Sequence, residues 1–280
     1  MSWVFGDRTD GRSDSGAPVI ATAVAEPASR TFRVLGVKVN AVQIPAAIAQ
    51  MQRWIEARDA TRYVAVTGMH GVSESRREPA FRDVLNGAGM VVPDGMPLVW
   101  IGRLRGFGLR RRVYGPELML EFCRATAARG LRHFFYGGAP GVADTLAARM
   151  AERFPGLIVA GTCSPPFRPL TPEEDATIVA QINESNADIV WVGLSTPKQE
   201  HWMHQHRTRL HVPVLVGVGA AFDMHSGRLK QAPMWMRENG LEWFYRLVQE
   251  PRRLWHRYVV LGSQFVFAAS LELAGLKRFD

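Results

Sequence analysis

The feature that most constrains the fold of this chain is a repeated alternation between short apolar runs and segments with helical periodicity. In residues 44–55, apolar side chains recur every three or four positions, which predicts an amphipathic helix. The apolar runs, which predict strands, cover residues 32–39, 63–66, 90–92, 132–136, 157–160, 187–194 and 214–218. Strands that alternate with helices predict an α/β fold, with a Rossmann-like, mainly parallel sheet flanked by helices.

The same alternation divides the chain into three parts. Residues 1–30 are rich in small and polar residues without periodicity, which predicts a disordered N-terminal tail. Residues 31–227 contain the alternating pattern and form the predicted α/β domain. Residues 228–280 contain no clear strand and predict a helical C-terminal appendage.

The overall charge favours an anionic partner. The 280 residues have a formal net charge of +8, which suits a nucleotide, a phospholipid surface or a nucleic acid. The two cysteines, Cys123 and Cys163, lie far apart without metal-ligand spacing, so we expect a reducing compartment and no disulfide framework. No uninterrupted apolar run of about 20 residues occurs, so no membrane span is predicted.

One predicted strand leads directly into a carboxylate. Residues 90–92 are apolar, Pro93 cannot donate to a strand ladder, and Gly95 frees the backbone after Asp94. Asp94 is therefore predicted at the carboxyl end of a strand, where open α/β sheets bind ligands. On this stretch alone, capping of the next helix is the commoner role for such an aspartate, and both interpretations stay open.

Two other strand ends contain glycines. Thr67 and His70 follow the strand at residues 63–66, in a segment that we predict to be a loop. Gly137 and Gly138 follow the strand at residues 132–136 and precede a helix, so their backbone N–H groups are candidates for binding phosphate. Their spacing does not match the GxGxxG fingerprint of dinucleotide-binding sheets.

The helix after residues 187–194 starts with polar residues. Thr196 is predicted to cap this helix, which places Lys198 and Gln199 in its first turn. A lysine in the first turn opposes the helix dipole, so this placement suggests a nearby anion.

The predicted appendage mixes basic and aromatic residues next to an apolar segment. Such a mixture suits a membrane interface. The alternative is a helical cap packed on the sheet with its aromatic side chains in the core, and both interpretations stay open. The residues concerned include Arg246, Arg252, Arg253 and Arg257, with Trp235, Trp243, Phe244, Tyr245, Trp255 and Tyr258.

Seven segments, in this order, resemble the WecG/TagA/CpsF family of glycosyltransferases. The resemblance covers roughly residues 32–260, and the order of the segments makes it specific although no single segment is decisive. The segments are residues 66–72 (VTGMHGV), 92–97 (VPDGMP), 112–116 (RVYGP), 135–138 (FYGG), 192–200 (VGLSTPKQE), 217–223 (GVGAAFD) and the tail residues 231–233 (QAP) with 240–243 (GLEW) and Arg246.

The resemblance implies a function as well as a fold. It implies that the domain at residues 31–227 is catalytic and transfers a sugar from a UDP-sugar to a polyprenyl-diphosphate-linked saccharide. The reaction would be inverting and independent of metal, would need no cofactor, and would occur at the cytoplasmic face of the cell membrane during surface polysaccharide synthesis. Met69 stands where some members have Asn, and His70 is a feature of the exopolysaccharide-type branch, so the donor sugar is not specified.

The resemblance also assigns roles to residues. It implies that Asp94 is the catalytic base. His70 is a second candidate for proton transfer because histidine titrates near neutral pH, and a structural histidine at a strand end is the alternative interpretation. The resemblance implies that Thr67, Arg112 and Gln199 bind substrate. The charge of Lys198 and the backbone N–H groups of Gly137 and Gly138 make these residues candidates as well. Tyr136 and Asp223, which lie in the matched segments, complete the predicted substrate-binding residues. From the basic and aromatic composition of the appendage, Arg246, Arg252, Arg253 and Arg257 are predicted to contact the membrane or the acceptor.

The sequence agrees with chemistry that does not use a metal. It contains no D-x-D triplet, which metal-dependent sugar transfer commonly uses. Arg112 and Lys198 could instead stabilise the leaving diphosphate.

Two other functions agree with parts of the sequence. A nucleotide-dependent oxidoreductase is the main alternative, although the missing GxGxxG fingerprint argues against it. A nucleic-acid-binding protein would fit the charge, but no motif for it is present, so no nucleic-acid partner is expected. The oligomeric state stays open, including a homo-oligomer.

Overall fold

A computed structural model describes residues 30–279, apart from the side chain of Arg253. The predicted tail, residues 1–30, lies outside this range except for Arg30. The main sheet contains β3 (Arg62–Thr67), β4 (Met90–Pro93), β5 (Arg132–Gly137), β6 (Ile158–Cys163), β7 (Ile189–Gly193) and β8 (Val214–Gly217). These strands are all parallel, in the order β4-β3-β8-β7-β5-β6. The predicted Rossmann-like α/β fold is confirmed.

The first predicted strand is instead a hairpin. Strands β1 (Thr31–Val34) and β2 (Val37–Asn40) pair antiparallel, and both turn residues, Leu35 and Gly36, have positive φ angles of 49° and 88°. Positive φ at both central residues is typical of the tight turns that join hairpin strands. The prediction of one strand over residues 32–39 was wrong because this turn contains a leucine, which interrupts no apolar pattern.

Thirteen α-helices surround the strands in the described part of the chain. They are α1 (Ile44–Ala57), α2 (Met69–Arg77), α3 (Pro79–Asn86), α4 (Met96–Leu104), α5 (Gly115–Thr126), α6 (Val142–Arg153), α7 (Pro172–Glu184), α8 (Lys198–His206), α9 (Ala221–His225), α10 (Met234–Glu238), α11 (Glu242–Gln249), α12 (Pro251–Trp255) and α13 (Leu261–Leu273). Within residues 30–279, none of these helices is both long and apolar enough to cross a bilayer.

Alternate residues of the strands face two different helical layers. Val64 and Val66 of β3 belong to a core cluster that includes α1, α5, α6 and α9. Ala65 faces the opposite layer, which includes α2, α3 and α4. The strands are buried on both sides, as parallel sheets generally are. Strands β3 and β8 are adjacent, and the connections that follow them run to opposite faces of the sheet.

Two predictions about helix starts were wrong. The segment after Thr67, predicted as a loop, enters α2 at Met69, and Gly68 is its N-cap. Thr196 is not a cap, because Pro197 occupies the N-cap position of α8 and the Thr196 hydroxyl donates to Glu200 at 2.9 Å. Gly68 and Gly71 had suggested the loop after Thr67, and Thr196 had been predicted as a cap because threonine is common at that position.

The appendage is helical, as predicted, and it packs on the α/β domain. Phe265, Ala268 and Ala269 of α13 join the core cluster that contains the β1–β2 hairpin. The Glu272 carboxylate accepts a hydrogen bond from the backbone N–H of Leu35 at 3.2 Å. It also forms an ion pair with Arg105 at 3.0 Å. Helix α13 is therefore an integral part of the folded core.

Candidate active site

The candidate site lies at the carboxyl ends of β3, β4, β7 and β8. In open α/β sheets, ligands bind where the connections after two adjacent strands diverge to opposite faces. Strands β3 and β8 are such a pair, followed by α2 on one face and α9 on the other. The cleft at this edge contains Asp94 and is closed over by residues of the appendage.

Backbone contacts fix the position of Asp94, and its side chain does not cap the next helix. Its N–H donates to the Thr67 carbonyl at 2.8 Å, and a side chain at Gly68 would lie only 2.4 Å from the Asp94 carbonyl oxygen. Gly68 is therefore required for the close approach of β3 and β4. The N-cap of α4 is Gly95, without any side-chain capping bond, so the capping interpretation of Asp94 is not supported.

The Asp94 carboxyl lies in a partly dry environment. Its side chain keeps 28% of its surface exposed, but Oδ1 is buried and has no hydrogen-bond partner among the described residues. Burial raises the pKa of Asp94 to about 6, and the Arg112 guanidinium opposes this shift. A carboxylate with a pKa in this range can accept a proton near neutral pH.

Arg112 is fixed beside Asp94 by a residue of the appendage. Its Nη1 lies 3.8 Å from Asp94 Oδ1, and its Nη2 donates to the carboxylate of Glu242. The guanidinium stacks on the Tyr114 ring at 4.2 Å, and the Tyr114 hydroxyl donates to the other oxygen of Glu242. Glu242 is 5% exposed, so this group of residues forms a buried connection between α11 and the base.

Several other buried polar atoms around Asp94 have no hydrogen-bond partner within residues 30–279. Unsatisfied buried polar groups are rare in native proteins and usually mark a site that a ligand or water completes. They are Thr67 Oγ1, His70 Nδ1, Gln199 Oε1 and Arg246 Nε.

His70 is neutral in this environment. It lies in the first turn of α2, with Nε2 3.8 Å from a Glu74 oxygen. Burial lowers the pKa of His70 to about 3, and the neighbouring Arg257 and His256 contribute to the shift. A neutral imidazole can donate or accept a hydrogen bond, but it is a much weaker base than Asp94.

Two adjoining cavities meet at Asp94. The larger, of about 370 Å³, is bounded by Gln199 and Asp223. The smaller, of about 160 Å³, is bounded by Met69, Pro97, Trp243 and Tyr258. Seven residues line both cavities: Val66, His70, Asp94, Tyr114, Thr196, Arg246 and Arg257.

The structure does not bring all predicted substrate-binding residues to these cavities. Tyr136 is 1% exposed and stacks on Trp202 at 4.3 Å, because alternation along β5 points its side chain into the core. A side chain at Gly137 would lie 2.6 Å from the Gly193 carbonyl, so this glycine allows β5 and β7 to approach. The Gly138 N–H already donates to that same carbonyl at 3.0 Å, so it is not available to a phosphate.

The remaining predicted residues are divided between cavity and surface. Lys198 is exposed at the start of α8, outside both cavities. Arg246 and Arg257, predicted to contact membrane or acceptor, line both cavities. Arg252 is exposed on α12, and Arg253 lies in the same helix.

Two buried acids of this region were not predicted. Glu242 lies 130 residues from its partner Arg112. Glu200 is fully buried and accepts hydrogen bonds from Thr196 and from Gln199 Nε2 at 3.0 Å, and burial raises its pKa. The sequence signal that could have indicated them is that each is the one acid in a segment that carries the family resemblance, Glu242 in GLEW and Glu200 in PKQE. Among the described residues, no three His, Cys, Asp or Glu side chains gather closely enough to hold a metal ion.

The fold and the site together define an α/β protein with a crevice suited to a phosphate-bearing ligand. A sequence model of the family described as "Glycosyl transferase WecG/TagA/CpsF family" matches residues 32–278. The chain therefore belongs to this family of glycosyltransferases, as the resemblance had indicated.

Curated relatives of the chain have a uniform name. The chain is 34% identical to a protein of Bacillus subtilis (strain 168) over 176 residues, which is 62% of this chain and 66% of the relative. It is 31% identical to a protein of Bacillus spizizenii over 204 residues, 73% of this chain and 77% of the relative. A Staphylococcus aureus (strain MW2) protein is 27% identical over 183 residues, 65% of this chain and 70% of the relative. Each is named N-acetylglucosaminyldiphosphoundecaprenol N-acetyl-beta-D-mannosaminyltransferase.

Proposed function

We propose that this protein transfers a sugar from a UDP-sugar to a saccharide linked by diphosphate to a polyprenyl lipid, during synthesis of a surface polysaccharide. The observation that supports this most directly is the convergence of Asp94, unpartnered buried polar atoms and arginines at the sheet crevice. The relatives are named for transfer to a diphospho-polyprenol acceptor, and the acceptor proposed here is of that chemical class. The alternative of an oxidoreductase is set aside, because the chain belongs to a glycosyltransferase family.

The larger cavity is the proposed donor site. Gln199 Oε1 and the Asp223 carboxylate are acceptors for the N–H and hydroxyl groups of a nucleoside. Arg246 and Arg257 bring positive charge to the same cavity, where a diphosphate would lie. Asp94 forms one wall and can therefore approach the sugar that the diphosphate carries.

The smaller cavity is the proposed site for the acceptor sugar. Met69, Pro97, Trp243 and Tyr258 give it apolar and aromatic surface, and charged residues such as Asp94, Arg112 and Arg246 complete its lining. Apolar surface with placed polar groups is the usual composition of a small-ligand site. Because Asp94 belongs to both cavities, an acceptor hydroxyl here would lie between the base and the donor sugar.

The proposed reaction is a single displacement with inversion. The acceptor hydroxyl oxygen forms a bond to the anomeric carbon while the bond from that carbon to the diphosphate oxygen breaks. Asp94 takes the hydroxyl proton, and UDP leaves with the electron pair. Arg246 and Arg257, which line the donor cavity, would stabilise the charge that develops on the leaving diphosphate, and Arg112 would add positive charge from beside Asp94. The proposed reaction therefore requires no metal ion.

We also propose that the protein works at the cytoplasmic face of the membrane and contacts it through the appendage. Aromatic residues with basic neighbours suit the headgroup region of a bilayer. Arg252 and Arg253 would supply positive charge near this surface. The exposed aromatic residues of the appendage include Trp235, Trp243, Phe244, Trp255 and Phe267.

The decisive test combines ligand binding with product analysis. UDP and one UDP-sugar should raise the unfolding temperature, because a ligand at 100 times its Kd stabilises the native state by about 2.7 kcal/mol. With that donor and a polyprenyl-diphosphate-linked saccharide, a longer lipid-linked product should form, and NMR should show an inverted anomeric configuration. Stabilisation by NAD(P) alone, without transfer, would refute the proposal.

A further inference from the structure

A third and larger cavity lies across Arg112 from the base. It has a volume of about 850 Å³ and is lined by eight arginines and three glutamates. Its apolar residues include Leu120, Met150, Met224 and Leu229. We call it the arginine cleft, and neither the family match nor the names of the relatives assigns it a role.

The acids of the cleft neutralise only some of its arginines. Arg111 lies 3.7 Å from Glu117 and 3.8 Å from Glu238, and Arg124 pairs with Glu121. Within residues 30–279, five other cleft arginines have no carboxylate within ion-pair distance. Arg103 donates instead to the carbonyls of Leu109, at 2.6 Å, and of Arg110. The other four are Arg110, Arg149, Arg153 and Arg237.

The contacts of these four arginines are weak. Arg149 donates to the His225 carbonyl at 3.5 Å, and Arg153 lies over the Phe154 ring at 5.6 Å. Arg237 Nε is buried without a hydrogen-bond partner among the described residues. Several cations in one concave surface repel each other unless an anion joins them, so this geometry favours a ligand with more than one negative charge.

The position of the cleft indicates which anion it receives. Met96, Arg112 and Tyr114 line both the cleft and the smaller cavity. The cleft also shares Tyr114, Pro116 and Met224 with the larger cavity, but the arginine that it shares, Arg112, lies on the side of the smaller cavity. The inner end of the cleft is therefore one guanidinium away from Asp94. The lining of the cleft also includes Met234, which is 59% exposed, and the adjacent Trp235 is equally exposed.

We propose that the arginine cleft binds the diphosphate of the lipid-linked acceptor. This inference rests on the proposed function and extends it to the second substrate. The acceptor sugar would lie in the smaller cavity against Asp94, its diphosphate would lie among the cleft arginines, and its polyprenyl chain would leave past Met234 and Trp235. Donor and acceptor diphosphates would thus occupy separate positive sites, which avoids their mutual repulsion.

The test compares two double variants with the same loss of charge. Arg149→Gln/Arg153→Gln removes two exposed cleft arginines. The control, Arg53→Gln/Arg129→Gln, removes two exposed arginines that contact Gln50 and Glu56 outside the cleft. Both pairs change the net charge equally, so general electrostatic attraction of anionic substrates is matched. Circular dichroism and unfolding temperature should show that both variants fold.

The expected result is specific to the acceptor. The cleft variant should show a KM for the lipid-linked acceptor about tenfold higher than the control variant, with the Kd for UDP unchanged within about twofold. An acceptor with a monophosphate in place of the diphosphate should discriminate less between the two variants, because it offers fewer oxygens to the cleft.

Three outcomes would overturn the proposal. One is an acceptor KM that is equal in the cleft and control variants. Another is equal sensitivity to the monophosphate and diphosphate acceptors. The third is loss of binding to phosphatidylglycerol vesicles with an unchanged KM for a short-chain soluble acceptor, which would assign the cleft to lipid headgroups. If the wild-type protein transfers no sugar, the proposed function itself fails, whereas an active wild type with an unaffected cleft variant refutes the cleft alone.

Discussion

Asp94 combines two properties that a catalytic base needs, which are an elevated pKa and a fixed position. We expect kcat/KM for sugar transfer to fall about tenfold for each pH unit below about 6, because Asp94, whose pKa burial raises to about 6, must be deprotonated to accept the proton. Above this value the rate should level off. A pH–rate profile of the wild type measures this limb directly.

The matched variant for the pH profile is His70→Gln. Because the pKa of His70 is lowered to about 3, its titration cannot produce a limb near pH 6. The variant should keep the limb of the wild type even if its overall rate is lower. If the limb near pH 6 is absent in His70→Gln, the assignment of Asp94 as the base is wrong.

Asp94→Asn should lose activity and gain stability. Removal of the base should lower kcat by about 10²–10⁴-fold while UDP still binds. A carboxyl with a raised native pKa stabilises the fold below its unfolded pKa of 3.8, and this contribution is lost as the pH rises through about 6. At pH 7 the variant should therefore be more stable than the wild type by about 1–3 kcal/mol, and near pH 4 the difference should vanish.

Chemical denaturation at both pH values measures this difference. Asparagine is the appropriate substitution, because its amide is nearly isosteric with the carboxylate and removes only the charge and the basicity. Full activity of Asp94→Asn would refute the assignment of the base, whereas a loss of stability at pH 7 would refute the described environment of the carboxyl.

Glu242 should position Arg112 rather than react. Glu242→Gln removes the negative charge that Arg112 and Tyr114 share, so we expect the free energy of unfolding to fall by about 1–3 kcal/mol. The pH limb should also move to lower pH, because the Glu242 charge raises the pKa of Asp94. Glu238→Gln is the control, since this acid is exposed and 3.8 Å from Arg111. Identical limbs in the two variants would contradict the positioning role.

At the residue scale, the sequence predicted part of the site. Asp94, Gln199 and Asp223 could be located because each follows a recognisable strand. Tyr136 could not be excluded from the site, because its burial depends on which layer each alternate residue of β5 faces. Glu242 could not be found, because its role depends on a contact with Arg112 across 130 residues of sequence.

At the element scale, the regular strands and helices were predictable and the turns were not. The parallel strands are apolar runs buried on both sides, so they were recognised from composition alone. The β1–β2 hairpin was missed because Leu35 occupies a turn position that usually contains Gly or Asn. The packing of α13 was undecided in the sequence, because its apolar residues suit a core and a membrane equally.

The packing of α13 determines how membrane contact should be tested. Deletion of this helix would expose the hairpin core around Phe265, so a truncated protein would report on folding as well as on membrane binding. Phe244→Ser/Val248→Ser is more selective, because these α11 side chains are 50% and 66% exposed. We expect this variant to lose most of its sedimentation with phosphatidylglycerol vesicles while its unfolding temperature is retained.

The control for α11 is Phe167→Ser. Phe167 is also strongly exposed, at 81%, but it belongs to the loop between β6 and α7. If membrane contact is a property of the appendage, this variant should bind vesicles as the wild type does. Equal losses in both variants would indicate general hydrophobic adsorption, and no loss in either would refute the role of α11.

At the scale of the whole molecule, arginines from distant parts of the chain converge near the proposed substrates. The net charge of +8 predicted an anionic partner but not its position. The fold brings Arg112 from the α4–α5 connection together with Arg246 and Arg257 from the appendage around one carboxylate. Such convergence depends on tertiary packing, and this is why the sequence could indicate the chemical class of the ligand but not the walls of its site.

This arrangement leads to a prediction about metal ions. If arginines stabilise the leaving diphosphate, transfer should continue at an unchanged rate in excess EDTA. The same rate should fall as NaCl is raised, because salt screens the attraction between partly exposed guanidinium groups and phosphate. Initial rates with EDTA, with added Mg²⁺ or Mn²⁺, and across a salt series measure both effects. Activity that EDTA abolishes and Mg²⁺ or Mn²⁺ restores would show that a metal ion performs the task assigned to the arginines.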